Sequence, residues 1–285
     1  MNGDNKNFKI LFMSSFPPTE CGIATFTTDV INAISLKFSQ TFTCIKCDLK
    51  KGGQTVSSAE YILNPDVREE YTKIAQELNL DQTIKLIHIQ HEFGLFGGSY
   101  GDYLFDFLNV INKPVVFTFH TVLSNPNEEL KAVVKSLASH AIAITVMTHR
   151  SAEILQEEYD LDPEIIEYIP HGTHLVKWAE GDKLKAKYGF SGKILLSTFG
   201  LLSSGKSIET ALYALPEMVE KFPDVFYLII GKTHPNNILN GRDKYREYLE
   251  ELVNVLGISS YVMFIDKYVE LQELLELLQA TDIYL

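Results

Sequence analysis

Cysteine, tryptophan and basic charge are all scarce in this sequence. Only three cysteines, Cys21, Cys44 and Cys47, occur in 285 residues. So low and odd a count is no disulfide framework and suits a reducing compartment. Cys44 and Cys47 have the spacing of half a zinc ribbon or of a redox pair. No second CxxC or histidine pair follows to close a metal site, and the two flank an apolar run that reads as a strand. No apolar stretch approaches the roughly 18 residues that a membrane helix needs. The polar start, Met1 to Lys9, leads into no long apolar run, so no signal peptide is expected. Lysine and arginine total 25 against 37 acids, a formal charge of −12. A field of that sign opposes nonspecific binding to nucleic acid or anionic lipid. The expectation is a cytoplasmic protein with no nucleic-acid partner and no transmembrane segment, peripheral membrane contact staying open.

What the chain does have is a globular composition: 46% apolar residues, with 17 Phe and 14 Tyr, which excludes a disordered chain. Short apolar runs alternate with amphipathic segments. Strands are expected at Lys9–Ser14, Thr41–Cys47, Lys85–Gln90, Pro114–His120, Ala141–Met147 and Ile165–Ile169. Helices are expected at Thr25–Phe38, Asp66–Leu80, through Asn109, and at Asn127–Ser139 and Thr148–Tyr159. Strands apolar at nearly every position are buried on both faces, as in a parallel sheet covered by helices. After a polar stretch the pattern restarts. Strands are expected at Lys193–Phe199, Val225–Ile230, Tyr261–Ile265 and Asp282–Leu285. A short helix through Asp182–Tyr188, then Ser207–Phe222, Gly241–Leu256 and Leu271–Gln279, supplies the helices. The reading is α/β with two Rossmann-like doubly wound domains, 1–175 and 176–285, the second incomplete because the chain stops on an apolar strand.

Four clusters carry chemistry. Gly200-Leu-Leu-Ser-Ser-Gly-Lys206-Ser207 satisfies GxxxxGK[ST] between a strand and a helix, the context of a P-loop. There the backbone N–H groups and helix N-terminus would hold phosphates, Lys206 would add a charge and Ser207 would bind magnesium. A P-loop core needs several further strands, however, and only 78 residues follow Ser207. Phosphate binding is the better reading, and a plain strand-to-helix turn with an exposed lysine is the bland one. Next, Gln90-His91-Glu92-Phe93-Gly94-Leu95-Phe96-Gly97-Gly98 sits at a strand's carboxyl end, where open parallel sheets place ligands. It is not HExxH, so a zinc protease is out. Its adjacent glycines let backbone approach a ligand, and the bland reading is a flexible loop with a solvated His-Glu pair. His120 ends another buried strand, and His171-Gly172 lies at the domain junction. A lone histidine in either place is more often structural, but several such loops on one side of a sheet shift that balance. His88, His140, His149 and His234 receive no assignment.

Taken in order, these residues resemble the retaining GT-B glycosyltransferases of group 1, also called family 4. The likeness rests on PPTECGIA after the first strand, QHEFGLFGG, FHT, IPHGTH in place of the family's usual PNGVD, FGLLSSGKSIETALYAL, LIIG and LLELLQATDIYL, and it covers nearly all of the chain. It implies two domains facing a cleft, and transfer of a hexose from a nucleotide diphosphate sugar to an acceptor hydroxyl with retained configuration. It implies His120 as the catalytic contact on the transferring sugar. Gly22, Gly200 and Lys206 would lie at the donor diphosphate. His91, Glu92, Gly97, Gly98, His171 and Gly172 would line the donor or acceptor sugar cleft. No metal or other cofactor is expected, because a cation and oriented N–H groups can stabilise the departing diphosphate. The partners implied are a nucleotide sugar and a carbohydrate or lipid-linked acceptor. Leu201 stands where the family usually has Arg, and Ser207 where a Gly is common. The family's paired-glutamate donor motif lies beyond the last strand, so this chain is expected to lack part of its donor site and to transfer sugar at negligible rates. The alternatives are a P-loop NTPase through Gly200–Ser207 or a non-catalytic sugar-nucleotide-binding protein.

Overall fold

A computed structural model describes residues 8–53, 58–233, 238–239 and 242–285. The chain divides into two compact units, Met1–Thr173 and His174–Leu285. His234 and Gly241 lie outside the described residues.

The first unit is built on strands β1 (Phe8–Ser14), β2 (Phe42–Leu49), β3 (Tyr61–Leu63), β4 (Ile84–His91), β5 (Val115–Phe119), β6 (Ala141–Val146) and β7 (Ile166–Tyr168). They form one sheet in the order β3-β2-β1-β4-β5-β6-β7, and every neighbouring pair is parallel. Helices α1 (Gly22–Phe38), α2 (Arg68–Leu80), α3 (Leu104–Leu108), α4 (Glu128–Ser139) and α5 (His149–Glu157) connect them. The strands alternate sides, so residues two apart share a face. Leu11, Met13, Ile87, Ile89, Phe117 and Ile144 enter the main core with Leu78 of α2, Phe107 of α3 and Leu137 of α4. The opposite face carries Phe12, packed with Phe16 and with Ile31 of α1. Helix starts follow local chemistry: the Asn127 and Thr148 side chains accept from Leu130 N and Ser151 N, each replacing a missing helical partner.

This alternation settles the cysteine pair. Cys44 packs on the α1 side while Cys47 is fully buried in the main core, so the two project to opposite faces. All three cysteines are free thiols, and burial raises the Cys47 thiol far out of the reactive range.

The second unit holds α6 (Gly181–Tyr188), β8 (Ile194–Phe199), α7 (Ile208–Lys221), β9 (Val225–Ile230), β10 (Ile238–Leu239), β11 (Arg242–Asp243), α8 (Lys244–Val255), β12 (Val262–Ile265), α9 (Leu271–Ala280) and β13 (Ile283–Tyr284). Its main sheet runs β12-β9-β8-β13, all parallel. The architecture is α/β as expected, but several boundaries move. The helix expected through Asn109 shrinks to Leu104–Leu108, preceded by a tight turn at Ser99–Gly101. The helix expected from Gly241 begins at Lys244, because Asp243 caps it by accepting from Arg246 N at 3.0 Å. Strand β3 and the small β10–β11 hairpin were not expected: two or three residues carry too little periodicity to be read.

Candidate functional site

In the first unit the site is assembled by strand register. His91 pairs with Phe119 across β4 and β5, so His120 emerges beside the end of β4, and its backbone N–H donates to the His91 carbonyl at 3.0 Å. His120 is half-buried. Its Nε2 lies 2.9 Å from Oε1 of the fully buried Gln90. The Phe26 ring of α1 meets it edge-on, with centroids 4.9 Å apart. The other neighbour of Phe26 is His171, at 5.1 Å. Phe26 thus gathers two of the candidate histidines at one sheet end. Burial, reinforced by His171, lowers the His120 imidazole to about 4. At neutral pH it is uncharged and offers one N–H and one lone pair, which suits a hydroxyl rather than a phosphate.

The neighbouring candidates divide. His91 is 1% exposed, stacked on Phe96 and flanked by Phe93 and Phe119. Burial first, then His120, pushes it down to about 3. It belongs to the core, and its ring does not reach the surface where a sugar could touch it. Glu92 Oε2 accepts from the Thr121 hydroxyl at 2.5 Å and Oε1 from Phe93 N at 3.0 Å, so this carboxylate ties the loop after β4 to the loop after β5. The space over the glycines is filled by the chain itself. A methyl group on Gly97 would sit 2.3 Å from the Pro65 carbonyl oxygen, and one on Gly98 1.7 Å from Asp102 Oδ1. Both glycines are thus closely packed by their own neighbours. His171 is exposed, its Nδ1 donating to the Gly172 carbonyl, and Gly172 faces open space.

Gly22 opens α1 with no side-chain cap and no acid in the first turn. The loop that delivers it is fastened by a buried pair absent from the sequence reading. Asp48 and Lys50, 1% and 4% exposed, lie 3.4 Å apart. Asp48 accepts from Phe16 N at 3.2 Å, and Lys50 donates to the Thr19 hydroxyl at 3.0 Å. Two charges ending an apolar strand were the available signal. A second network lies beneath His120. The Thr145 hydroxyl donates to the Phe117 carbonyl, which leaves Thr118 to donate to Thr145 and to accept from His88 Nε2 at 2.8 Å. Burial lowers His88 to about 4, so it is a neutral Nε2–H donor.

In the second unit two glycines end adjacent strands. Gly200 and Gly231 both have positive φ, 134° and 128°, a region that favours glycine. Gly200 N donates to the Ile230 carbonyl and Gly231 N to the Ile265 carbonyl. A methyl group on Gly231 would lie 2.1 Å from the Gly200 oxygen. Lys206 folds back across Gly200, so a methyl there would meet its Nζ at 2.9 Å. Its ammonium is exposed and makes no ion pair among the described residues. Arg246, which the sequence reading missed, is 8% exposed and clamps the same edge. It donates to the Gly231 carbonyl at 3.1 Å and pairs with Asp266 at 3.1 Å. Its spacing from Leu249 and Val253 placed it on the buried face of α8. Leu202, Lys206 and Ser207 spend their N–H groups on the Lys232, Ser203 and Ser204 carbonyls, whereas a P-loop turns such groups toward phosphates.

Among the described residues no group of three His, Cys, Asp or Glu could hold a metal ion, and no helix is long and apolar enough to cross a membrane. No family model and no curated protein matches the sequence. Solved structures do match. HepE of Anabaena, in complex with UDP and glucose, is 15% identical, with 98% of this chain and 73% of that chain covered and a TM-score of 0.68. A glycosyltransferase from Rickettsia africae is 17% identical over 98% of this chain and 72% of that one, at 0.68. Sucrose-phosphate synthase from Thermosynechococcus elongatus is 15% identical over 97% and 74%, at 0.72. The chain has the fold of the GT-B glycosyltransferases.

Proposed function

We propose that this chain is a retaining glycosyltransferase of group 1, or family 4, moving a hexose from a nucleotide diphosphate sugar to an acceptor hydroxyl on a carbohydrate or lipid-linked molecule. The observation that carries the reading is the Lys206 ammonium lying across Gly200 at the carboxyl end of β8, with Gly231 packed alongside. An exposed cation just before the 14-residue helix α7 is an arrangement that can stabilise a departing diphosphate. The fold shared with HepE, whose structure holds UDP and glucose, supports the donor class.

In this reading Lys206 and Gly200 are the second unit's contacts to the donor diphosphate, and Gly22, at the α1 terminus, is the first unit's candidate phosphate contact. His120 touches the transferring sugar as a neutral imidazole. His171, Gly172 and Glu92 belong to the sugar-binding loops, Glu92 by fixing Thr121. Lys206 supplies the charge that a divalent metal supplies in other transferases, so no metal is required. The protein works in the cytoplasm.

Calorimetric titration of the purified chain with UDP- and GDP-sugars in EDTA tests the proposal. Saturable binding of at least one is expected, weakened by Lys206→Ala. Absence of binding to every nucleotide sugar, with the chain folded, would overturn it.

A further inference from the structure

We propose that Gln90 is a positioning residue for His120, its amide oxygen accepting the Nε2 proton so that Nδ1 is left as the lone-pair nitrogen. The inference rests on the reading of His120 as a sugar contact and adds the residue that fixes how that contact is made.

Three observations support it. Gln90 is 0% exposed, on the strand next to the one that His120 terminates, and the Oε1–Nε2 distance is 2.9 Å. The other end of the amide, Nε2, is buried and has no hydrogen-bond partner. Leaving a buried donor unmade is costly, and an apolar residue of the same shape would avoid that cost. The contact this side chain does make is the one from its oxygen to His120. Finally, His120 is held at two further points, its backbone N–H on the His91 carbonyl and its ring against the edge of Phe26. With the ring so placed, the proton on Nε2 is the remaining freedom.

Among the described residues Gln90 Oε1 is the hydrogen-bond partner of His120 Nε2. The titratable groups that act on His120 or are acted on by it are His171, His88 and His91, all imidazoles. Glu92, the nearest carboxylate in sequence, has both oxygens engaged by Thr121 and Phe93. Neutral His120 therefore donates inward, and toward a ligand it can only accept. A sugar hydroxyl would donate to Nδ1; a group with no hydrogen to give would be refused.

The test is NMR of the chain with isotope-labelled histidine, His120 being assigned by the signals lost in His120→Ala. The wild type should show the Nε2–H tautomer with a slowly exchanging ring proton. Gln90→Leu, close in volume and unable to accept, should lose that proton signal to solvent exchange. Gln90→Glu, which still accepts, should keep it and raise the pH at which His120 titrates. An Nδ1–H tautomer in the wild type, or an Nε2–H signal untouched by Gln90→Leu, would overturn the proposal. Should Gln90→Leu fail to fold, loss of the signal in Gln90→Glu would overturn it and persistence would sustain it. The spectra need no nucleotide, so a failure here is distinguishable from a failure to bind nucleotide sugar.

Discussion

At the carboxyl ends of β4 and β5 the histidines are drawn inward and kept uncharged, whereas at the carboxyl end of the four-stranded sheet a lysine ammonium is left outside beside two glycine backbones. The first edge is ruled by burial: His88, His91 and His120 are all held below the ordinary imidazole range by desolvation. The second is ruled by close backbone approach, Gly200 against Gly231, with Lys206 laid over it. One edge offers neutral hydrogen bonds and aromatic surface, the other positive charge. A hydroxyl-rich ligand suits the first, an anionic one the second.

The difference can be broken at either edge, beginning where the effect is largest. In the first unit, Asp48→Ala leaves Lys50 charged and buried without this partner. It should cost about 3–5 kcal/mol of stability, read as a lower midpoint in urea denaturation. Asp48→Asn should also destabilise, because the Phe16 N–H bond survives but the ion pair does not. In the second unit, Gly231→Ala would drive a methyl group into a backbone oxygen at 2.1 Å and should cost roughly 2–4 kcal/mol. Gly22→Ala, facing open space, should leave the midpoint nearly unchanged.

Acid should separate the units next. The three histidines carry folded values of about 3 to 4, against roughly 6.5 when unfolded. Between those limits the unfolded chain binds more protons, so stability falls as pH drops from about 6.5 toward 4. The loss belongs to the first unit. Amide hydrogen exchange at pH 7 and 5 should show protection falling in the β4–β5 core and holding in β8–β9. Equal loss in both would mean that other groups dominate. A small stability effect is also expected of His120→Ala. It removes a half-buried ring at the surface, so the melting temperature should move little while transfer by an active enzyme falls strongly. A collapse in melting temperature would make the residue structural.

Much of this was legible in the sequence, because a parallel sheet buried on both faces writes long apolar runs that are hard to mistake. All the strands of four residues or more, from Phe8–Ser14 to Val262–Ile265, are marked that way. What escaped was short or polar. Tyr61–Leu63 pairs only through residues at the end of β2, and nothing local announces it. Gln90 opens a cluster read for His91 and Glu92, Asp48 and Arg246 lie in segments read for their apolar neighbours, and the roles of the three come from partners 30, 2 to 32, and 15 to 20 residues away. The glycines after β4 show what spacing leaves out: Pro65, Asp102 and Tyr103 pack against Gly97 and Gly98 from elsewhere in the chain. Sequence spacing reports that a position must be small; what makes it small is a tertiary fact.

The reading of Lys206 as a metal-independent diphosphate contact is tested most directly by one titration. UDP and GDP are titrated into the wild type, Lys206→Ala and Ser207→Ala, with magnesium and with EDTA. Ser207 sits in left-handed conformation with φ 48°, and its hydroxyl does not cap α7, so its removal should change little. Loss of the lysine contact should weaken binding roughly 10- to 150-fold. Binding that survives EDTA, tolerates Ser207→Ala and falls with Lys206→Ala is the predicted result; binding that requires magnesium and the Ser207 hydroxyl would contradict it.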